Sequence, residues 1–251
     1  MHISKALAAR KEVFAIIVIN GDPSIKHKGK LTCLNEQVKI SKFFHCEGLL
    51  ICILKDDSKF VVWNPYLGQP RWIESRICHS PHGIDFSSYA LGYEDKKKKS
   101  CRSHKFLRFV DCYYSRVPEH QYFWYEIYDF QSGLWTTLDV TPHWRINFIN
   151  GGVSLKGNTY RCATERNLVL DGNHRINDYI ICFDFTSERF DTLLPLPFSA
   201  GYDDYVILSC VKEEKLVVLL EHNETIPYEL DLWVTTKIET EEVLWSCGAI
   251  S

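Results

Sequence analysis

The sequence has little that would keep it unfolded or hold it in a membrane. Only 9 of its 251 residues are proline and 13 are glycine, while 45% are hydrophobic, which is typical of a globular chain. No apolar run approaches the roughly 20 residues that a membrane-spanning helix requires. The formal net charge of −3 provides no basic surface for nucleic acid. We expect one globular domain that binds neither membranes nor nucleic acid.

A secretory signal is also lacking. Residues 13–19 are apolar, but charged residues precede them and the turn sequence of residues 20–23 follows, with no small-residue cleavage site. The ten cysteines therefore do not indicate disulfides. Cys52, Cys182 and Cys210 lie within hydrophobic strand patterns, where cysteine behaves as a small buried hydrophobe. We expect reduced thiols and a cytoplasmic or nuclear location.

Motifs for catalysis are missing as well. There is no Cys-x-x-Cys pair and no second ligand pair at zinc spacing, and the paired glycines precede no helix that could bind a phosphate. We predict no enzymatic activity, no cofactor and no metal. The residues that we assign to loops or turns on this ground are Cys78, His79, His82, Gly151, Gly152, Gly157, Asp203, Asp204, Glu213, Glu214, Glu241 and Glu242. Cys101 and His104 follow the lysines of residues 96–99, but no sequence signature marks a third, orienting residue for catalysis.

Aromatic residues, by contrast, make up 14% of the chain, and they favour strands. Residues 4–12 are strong helix formers and predict a short N-terminal helix. The remainder predicts strands separated by turns. Three hairpins stand out: residues 48–54 with 60–63, residues 153–155 with 159–163 through a Gly157-Asn158 turn, and residues 206–211 with 216–220.

A repeated unit follows these hairpins. An apolar strand ends in Asn or Asp, a short turn follows, and an aromatic residue begins the next strand. The acid or amide can cap the turn, and we expect the aromatic to pack between sheets. The copies lead from Asn64 to Trp72, from Asp129 to Trp135, from Asp184 to Phe190 and, more loosely, from Asp231 to Trp245.

The spacing of the repeats is close to one four-stranded propeller blade, about 40–50 residues. A blade has two apolar faces, so several blades must stack to bury them. The pattern predicts four units at about residues 45–75, 86–139, 150–194 and 204–246, and a weaker one at about 13–44.

The ordered set of motifs resembles the F-box-associated domain of plant F-box proteins. The resemblance runs from about residue 40 to 246. The motifs that carry it are FHCEGLL at residues 44–50, VVWNPYLG at 61–68, RWI at 71–73, YALGY at 89–93, YEIYDF at 125–130, LDVTP at 138–142, GVSLKGNTY at 152–160, FDFT at 183–186, LPLPF at 194–198, LSC at 208–210 and LWVTT at 232–236.

The resemblance implies an all-β, kelch-like propeller of about five blades, incomplete or open, preceded by a short helix. Residues 1–12 would be the linker after an F-box and residues 13–251 the propeller-like domain. Its implied role is to choose protein substrates for a cullin-type ubiquitin ligase. Since no F-box precedes residue 1, we expect no direct contact with the Skp-type adaptor or the cullin.

Aromatic residues that we place in loops are the predicted partner-binding positions, because exposed Tyr and Trp often carry interface energy. They are Tyr66, Tyr113, Tyr114, Trp144 and Tyr202. Other readings stay open at this point. They are a decoy that binds substrate without degrading it, a glycan-binding β module, a propeller enzyme, and a truncated remnant without function.

Overall fold

The computed structural model describes residues 2–9, 12–18, 26–30, 40–55, 58–64, 70–76, 87–94, 102–112, 122–146, 152–166, 179–200, 204–211, 214–222, 229–239 and 241–248. These residues form strands and turns and contain no helix. The strands build five antiparallel sheets, which confirms the prediction of an all-β propeller fold. The chain divides into two compact units, residues 1–79 and 80–251.

The first sheet of unit 1 consists of β1 (His2–Ala9), β2 (Glu12–Val18) and β3 (Lys26–Lys30), in that order. The predicted N-terminal helix is therefore wrong. Seven residues of β1 pair with β2, from His2 opposite Val18 to Ala9 opposite Glu12. Intrinsic helix propensity is a weak preference, and the hydrogen bonds of an adjacent strand override it here.

The second sheet of unit 1 runs in the order β4 (Ile40–Cys46), β5 (Leu49–Leu54), β6 (Lys59–Trp63) and β7 (Pro70–Glu74). The predicted hairpin of residues 48–54 with 60–63 is confirmed by the pairing of β5 with β6. The central strands are almost wholly buried, as their continuous apolar runs predict. Its buried apolar side chains include Leu50, Ile51, Ile53, Phe60, Val61 and Trp63.

The first sheet of unit 2 runs β8 (Ser87–Glu94), β9 (Ser103–Cys112), β10 (Tyr122–Asp129) and β11 (Leu134–Thr137) from one edge to the other. Consecutive strands are neighbours throughout, as in a propeller blade. Both faces of its inner strands are buried.

The second sheet of unit 2 has a divided first strand. The pieces β12 (Trp144–Ile146) and β13 (Val153–Leu155) both pair with β14 (Asn158–Glu165). Next comes β15 (Tyr179–Asp184), whose other side pairs with the short strands β16 (Arg189–Phe190) and β17 (Leu194–Pro195). The predicted β13–β14 hairpin is confirmed, but its turn lies at Lys156-Gly157, where φ is 51° and 87°, and Asn158 already belongs to the strand.

The third sheet of unit 2 runs β18 (Tyr205–Val211), β19 (Lys215–His222), β20 (Glu229–Ile238) and β21 (Val243–Gly248). The predicted hairpin of β18 with β19 is confirmed. The observed sheets follow the five predicted units, with bounds shifted by several residues. The largest shift is in the N-terminal unit, predicted at about residues 13–44, whose sheet consists of strands within residues 2–30, while β4 belongs to the next sheet.

The capped turns of the repeat are confirmed in two of its copies. The carboxylate of Asp129 accepts hydrogen bonds from the backbone N–H groups of Gln131 (2.6 Å) and Ser132 (3.2 Å). Asp184 likewise accepts one from the N–H of Thr186 at 2.8 Å. The loose fourth copy is wrong, because Asp231 lies inside β20 and the turn comes only after Ile238.

The aromatic residues that follow these turns differ in burial. Phe190 packs into the core between the first two sheets of unit 2, as the repeat predicts. Trp72 is 41% exposed, so the same prediction is wrong for it. Both residues lie on an outermost strand of their sheet. The side chains that pack around each ring therefore decide whether it is covered.

Candidate interaction surface

The predicted partner-binding residues fall on different parts of the chain. Tyr66, Tyr113, Tyr114 and Tyr202 lie outside the described residues. Trp144 begins strand β12 and is 3% exposed, so its placement in a loop is wrong. Its indole packs against the rings of Tyr125 and Phe190, with ring centroids 6.0 Å and 4.5 Å away. Removing a large apolar ring from water into the core stabilises the fold, which favours the buried position of Trp144.

Several connections of unit 2 leave from one end of its sheets. In a four-stranded antiparallel sheet whose consecutive strands are neighbours, the second and fourth strands run in the same direction. The connection from the second strand to the third and the connection from the fourth strand to the next sheet therefore leave from the same end. Residues 113–121, 167–178 and 223–228 follow the second strands β9, β14 and β19. Residues 138–143 and 196–204 join successive sheets. We call this end of unit 2 the connection end.

A buried ion pair holds two sheets together at the connection end. Arg166, just after β14, donates from Nη2 to Oδ1 of Asp111 near the end of β9, at 2.7 Å. The guanidinium Nε also donates to the carbonyls of Pro142 and Trp144, both at 3.1 Å. Oδ2 of Asp111 accepts from the N–H of Ile146 at 3.2 Å. The pair thereby ties together the end of β9, the end of β14 and the chain around β12.

Burial and charge act in opposite directions on this carboxylate. Burial raises the pKa of Asp111, and the charge and hydrogen bond of Arg166 oppose that rise without cancelling it. Burial likewise raises the pKa of Tyr125 far above its ordinary value, and the nearby Asp111 adds to the increase. Tyr125 is therefore a neutral phenol at any physiological pH. Beneath the connection end lies a polar cluster surrounded by aromatic rings.

Sequence reasoning missed an aromatic residue that is exposed at the connection end. Phe123, near the start of β10, is 37% exposed, and the guanidinium carbon of Arg166 lies 5.3 Å from its ring centroid. A cation over an aromatic face holds the ring in place. The alternation of the strand would not have revealed its exposure, because Phe123 shares a face with Tyr125, which is buried.

A second group of charges lies at the matching end of the third sheet. The imidazole of His222, at the end of β19, has Nδ1 3.4 Å from Oδ1 of Asp204 and Nε2 3.5 Å from Oδ2 of Asp231. The ring is 30% exposed. It lies between the start of β18 and β20, so it adds polar groups to this part of the surface.

Two buried cysteines of unit 2 do not carry the thiolate that a nucleophile needs. Burial raises the pKa of Cys162 to about 12 and raises that of Cys182 even further, so both remain thiols at neutral pH. No cluster of three metal-ligating side chains occurs among the described residues. The candidates that lie outside them are Cys78, His79, His82, Cys101, Gly151, Asp203 and Glu213.

The remaining candidates have ordinary structural positions. Glu241 and Glu242 are exposed in the turn before β21, where Glu242 accepts a hydrogen bond from Lys237 at 2.5 Å. Gly157 is required by its turn, with φ at 87°. His104 lies in β9, next to the ring of Tyr93. Within the described ranges, no helix is long and apolar enough to cross a membrane.

The amino-acid sequence matches a known domain family. The family model described as F-box associated beta propeller domain matches residues 6–248. This chain belongs to the F-box associated β-propeller domain family. A putative F-box protein of Arabidopsis thaliana is 50% identical to it over 261 residues, covering 98% of this chain and 62% of the relative.

Two further relatives are named as F-box/kelch-repeat proteins. An F-box/kelch-repeat protein of Arabidopsis thaliana is 56% identical over 266 residues, covering 98% of this chain and 59% of its own length. A putative F-box/kelch-repeat protein of the same plant is 56% identical over 229 residues, covering 90% and 54%. The chain thus spans about three fifths of the length of the first two, and the resemblance seen in the motifs is confirmed.

Proposed function

We propose that this F-box associated domain is a non-catalytic module that binds protein substrates for ubiquitination, with the connection end of unit 2 as its binding surface. Membership of a family named for its association with the F-box carries the proposal. Loops held by a rigid β scaffold are the common place for such binding. The substrate-binding half of the task belongs to this stretch of chain, and contact with the Skp-type adaptor and the cullin does not.

The geometry supports the connection end in particular. Asp111 and Arg166 brace its base by an ion pair that is nearly free of solvent. Phe123 is exposed directly above that base. An aromatic ring held in one orientation loses little conformational entropy on binding, which favours it as an interface anchor.

Four of the aromatic residues predicted from sequence remain part of the proposal. Tyr113 and Tyr114 belong to the connection from β9 to β10, and Tyr202 belongs to the connection into β18, both of which leave from the connection end. Tyr66 belongs to the connection from β6 to β7 in unit 1. We propose these as partner-binding residues and no longer include Trp144.

The cellular setting is part of the same proposal. Ubiquitination requires the cytosol or the nucleus, and we place the protein there. Cys162 and Cys182 occupy small apolar positions in β14 and β15 as thiols, which suits a reducing compartment.

The test is affinity capture from plant extract with the tagged chain, read by quantitative mass spectrometry. We compare the wild type with a triple variant, Tyr113→Ala, Tyr114→Ala and Phe123→Ala. Leu134→Ala is the matched control, because Leu134 is 65% exposed and pairs with Asp129 at the opposite end of β10, roughly 20 Å along the strand. Circular dichroism checks that both variants are folded.

We expect a specific protein to be enriched by the wild type and by Leu134→Ala, and to be lost in the triple variant. We also expect the adaptor and the cullin to be absent from all captures. Equal capture by the triple variant would remove the connection end from the proposal. Binding to glycans on an array, with no protein captured, would instead favour the glycan-binding alternative.

A further inference from the structure

The end of unit 2 that lies opposite the connection end carries a concentration of positive charge. The connection from β8 to β9 contains four consecutive lysines, at residues 96–99, and Arg102 precedes β9 directly. Unit 2 as a whole is acidic, with 17 Lys and Arg against 25 Asp and Glu in residues 80–251. The lysines are therefore opposite in charge to the unit that contains them.

The turn between β13 and β14 adds a further cation at the same end. The backbone N–H of Tyr93 donates to the carbonyl of Gly157 at 3.0 Å, and a Cβ at Gly157 would lie only 2.7 Å from the ring of Tyr93. The guanidinium carbon of Arg102 lies 4.6 Å from the centroid of that ring. Lys156, exposed in the turn, is thereby brought near Arg102. We call residues 95–102 and 156–157 the basic corner.

Two carboxylates beside the basic corner are engaged by a buried cation. The Nζ of Lys105 lies 2.6 Å from Oε1 of Glu188 and 3.4 Å from Oε2 of Glu94, and it donates to the carbonyl of Phe185 at 3.3 Å. These contacts hold Lys105 in the interface between the first two sheets. Because its charge offsets part of theirs, the two carboxylates neutralise the basic corner only in part.

The charge of the basic corner restricts what can pack on it. Lysine is almost never buried without an anionic partner, so a covering surface has to be acidic. Unit 1 is basic as a whole, with 12 Lys and Arg against 7 Asp and Glu in residues 1–79. A long nucleic acid would be repelled by the net charge of unit 2, and the ring of Tyr93, 6% exposed, is covered against base stacking. A short acidic peptide segment fits both conditions.

We propose that the basic corner binds an acidic segment of a partner protein, whose carboxylates pair with the lysines of residues 96–99, with Arg102 and with Lys156. Exposed ion pairs are individually weak and are screened by salt, so the binding depends on several cations in one place. The basic corner lies at the opposite end of β9 from the connection end, roughly 30 Å away along the strand. Its test therefore does not depend on the proposed function.

The experiment measures fluorescence anisotropy of a labelled peptide of about eight glutamates, roughly 26 Å long when extended, on titration with the full chain. The run variant changes all four lysines of residues 96–99 to Gln, and the corner variant is Arg102→Gln with Lys156→Gln. The control, Arg116→Gln with Arg175→Gln, removes the same charge as the corner variant, but from connections at the connection end. Circular dichroism checks that each variant is folded.

We expect the wild type to bind the peptide at low salt and the control to match it within about twofold. The corner variant should raise the dissociation constant about fivefold and the run variant about twentyfold, because they remove two and four exposed ion pairs. Raising NaCl from about 50 to about 300 mM, which shortens the Debye length from roughly 14 to 6 Å, should weaken wild-type binding about tenfold.

Three results would overturn the proposal. A wild type that does not bind the peptide at low salt would remove the acidic partner. A corner variant that binds as tightly as the control would show that the lysine run acts alone, without the folded corner. A single-stranded oligothymidylate of the same length that binds more tightly than the peptide, and that the run variant no longer binds, would assign the basic corner to nucleic acid.

Discussion

The second sheet of unit 2 has neighbours on both faces, and the two contacts are built differently. Toward the first sheet, apolar rings are interspersed with buried charges. Arg161 donates to the carbonyl of Tyr89 at 3.1 Å, Thr159 donates to that of Leu91 at 3.3 Å, and Asp111 pairs with Arg166. Lys105 lies 2.6 Å from Glu188.

Toward the third sheet, the same strands present aliphatic side chains instead. The core there consists mainly of Leu, Val and Ile, and the polar contacts between the two sheets among the described residues are few. Trp245 donates from Nε1 to the carbonyl of Pro195 at 3.2 Å, and the thiol of Cys210 approaches the carbonyl of Ser154 at 3.8 Å.

The difference concerns specificity as well as strength. A buried charge is tolerable only when its partner is in place, so few alignments of two sheets satisfy a polar contact. Aliphatic side chains tolerate small displacements, because their attraction has no preferred direction. Our hypothesis is that the polar contact fixes how the first two sheets align, while the aliphatic contact contributes mainly burial.

The pKa shifts of Arg161 and Lys105 agree with the hypothesis that buried charges fix the alignment of the first two sheets. Burial lowers the pKa of Arg161 to about 10, so its guanidinium is still charged at neutral pH. Burial also acts to lower the pKa of Lys105, but the hydrogen bond and charge of Glu188, together with Glu94, outweigh it and raise that pKa above its ordinary value. Lys105 therefore keeps its charge through specific carboxylate partners, whereas Arg161 keeps its charge because its lowered pKa is still well above neutral pH.

Breaking the buried ion pair should have the largest effect. Asp111→Leu leaves the cation of Arg166 buried without its carboxylate, and we expect it to lower the free energy of unfolding by about 3–5 kcal/mol. The measurement is urea denaturation. The double variant Asp111→Leu/Arg166→Met should cost less than the sum of the single variants, and strict additivity would contradict the pairing.

The aliphatic contact should respond to lost volume. Leu216 is completely buried in the core between the second and third sheets. Leu216→Ala should lower the free energy of unfolding by about 2–5 kcal/mol, because it removes apolar contacts and leaves a cavity. Leu216→Met serves as the volume-conserving control and should cost less than about 1.5 kcal/mol. Equal losses in the two variants would show that volume is not what matters at this position.

The hydrogen bond at the edge of the aliphatic contact should matter less. Trp245→Phe removes the donor to the carbonyl of Pro195 and keeps most of the apolar ring. We expect a loss of about 0.5–1.5 kcal/mol in urea denaturation. A loss as large as that of Leu216→Ala would mean that the aliphatic contact is also held by polar groups.

The pH dependence of stability should also distinguish the polar contact from the aliphatic contact, with a smaller effect than the substitutions above. Because burial raises the pKa of Asp111 above its ordinary value of 3.8, the folded chain binds a proton there more tightly than the unfolded chain. Relative to Asp111→Asn, the stability of the wild type should therefore fall as pH rises from about 4 through the raised pKa, and then level off. The measurement is thermal unfolding of both proteins between pH 4 and pH 8.

A wild-type stability that rises over this interval, relative to Asp111→Asn, would show that Arg166 outweighs burial. The same scan on Leu216→Ala against the wild type should give a constant difference, because no titrating group is changed.

Sequence alone determined most of the strands, the hairpin turns and the family. Apolar runs such as β5 and β6, and turn residues such as Asp129 and Asp184, act through neighbours in the chain, so their consequences can be predicted locally. The helix expected for residues 4–12 and the turn expected after Asp231 failed for the converse reason. In both places the hydrogen bonds of an adjacent strand outweighed local preference.

Only the tertiary structure decided which side chains are covered. Trp144 and Trp72 look alike in the sequence, yet one is 3% and the other 41% exposed, because burial depends on what packs above a residue. The same holds for the pairing of Asp111 with Arg166 and for the exposed ring of Phe123. Contacts between residues distant in the chain form only when the sheets come together, and no local pattern specifies them.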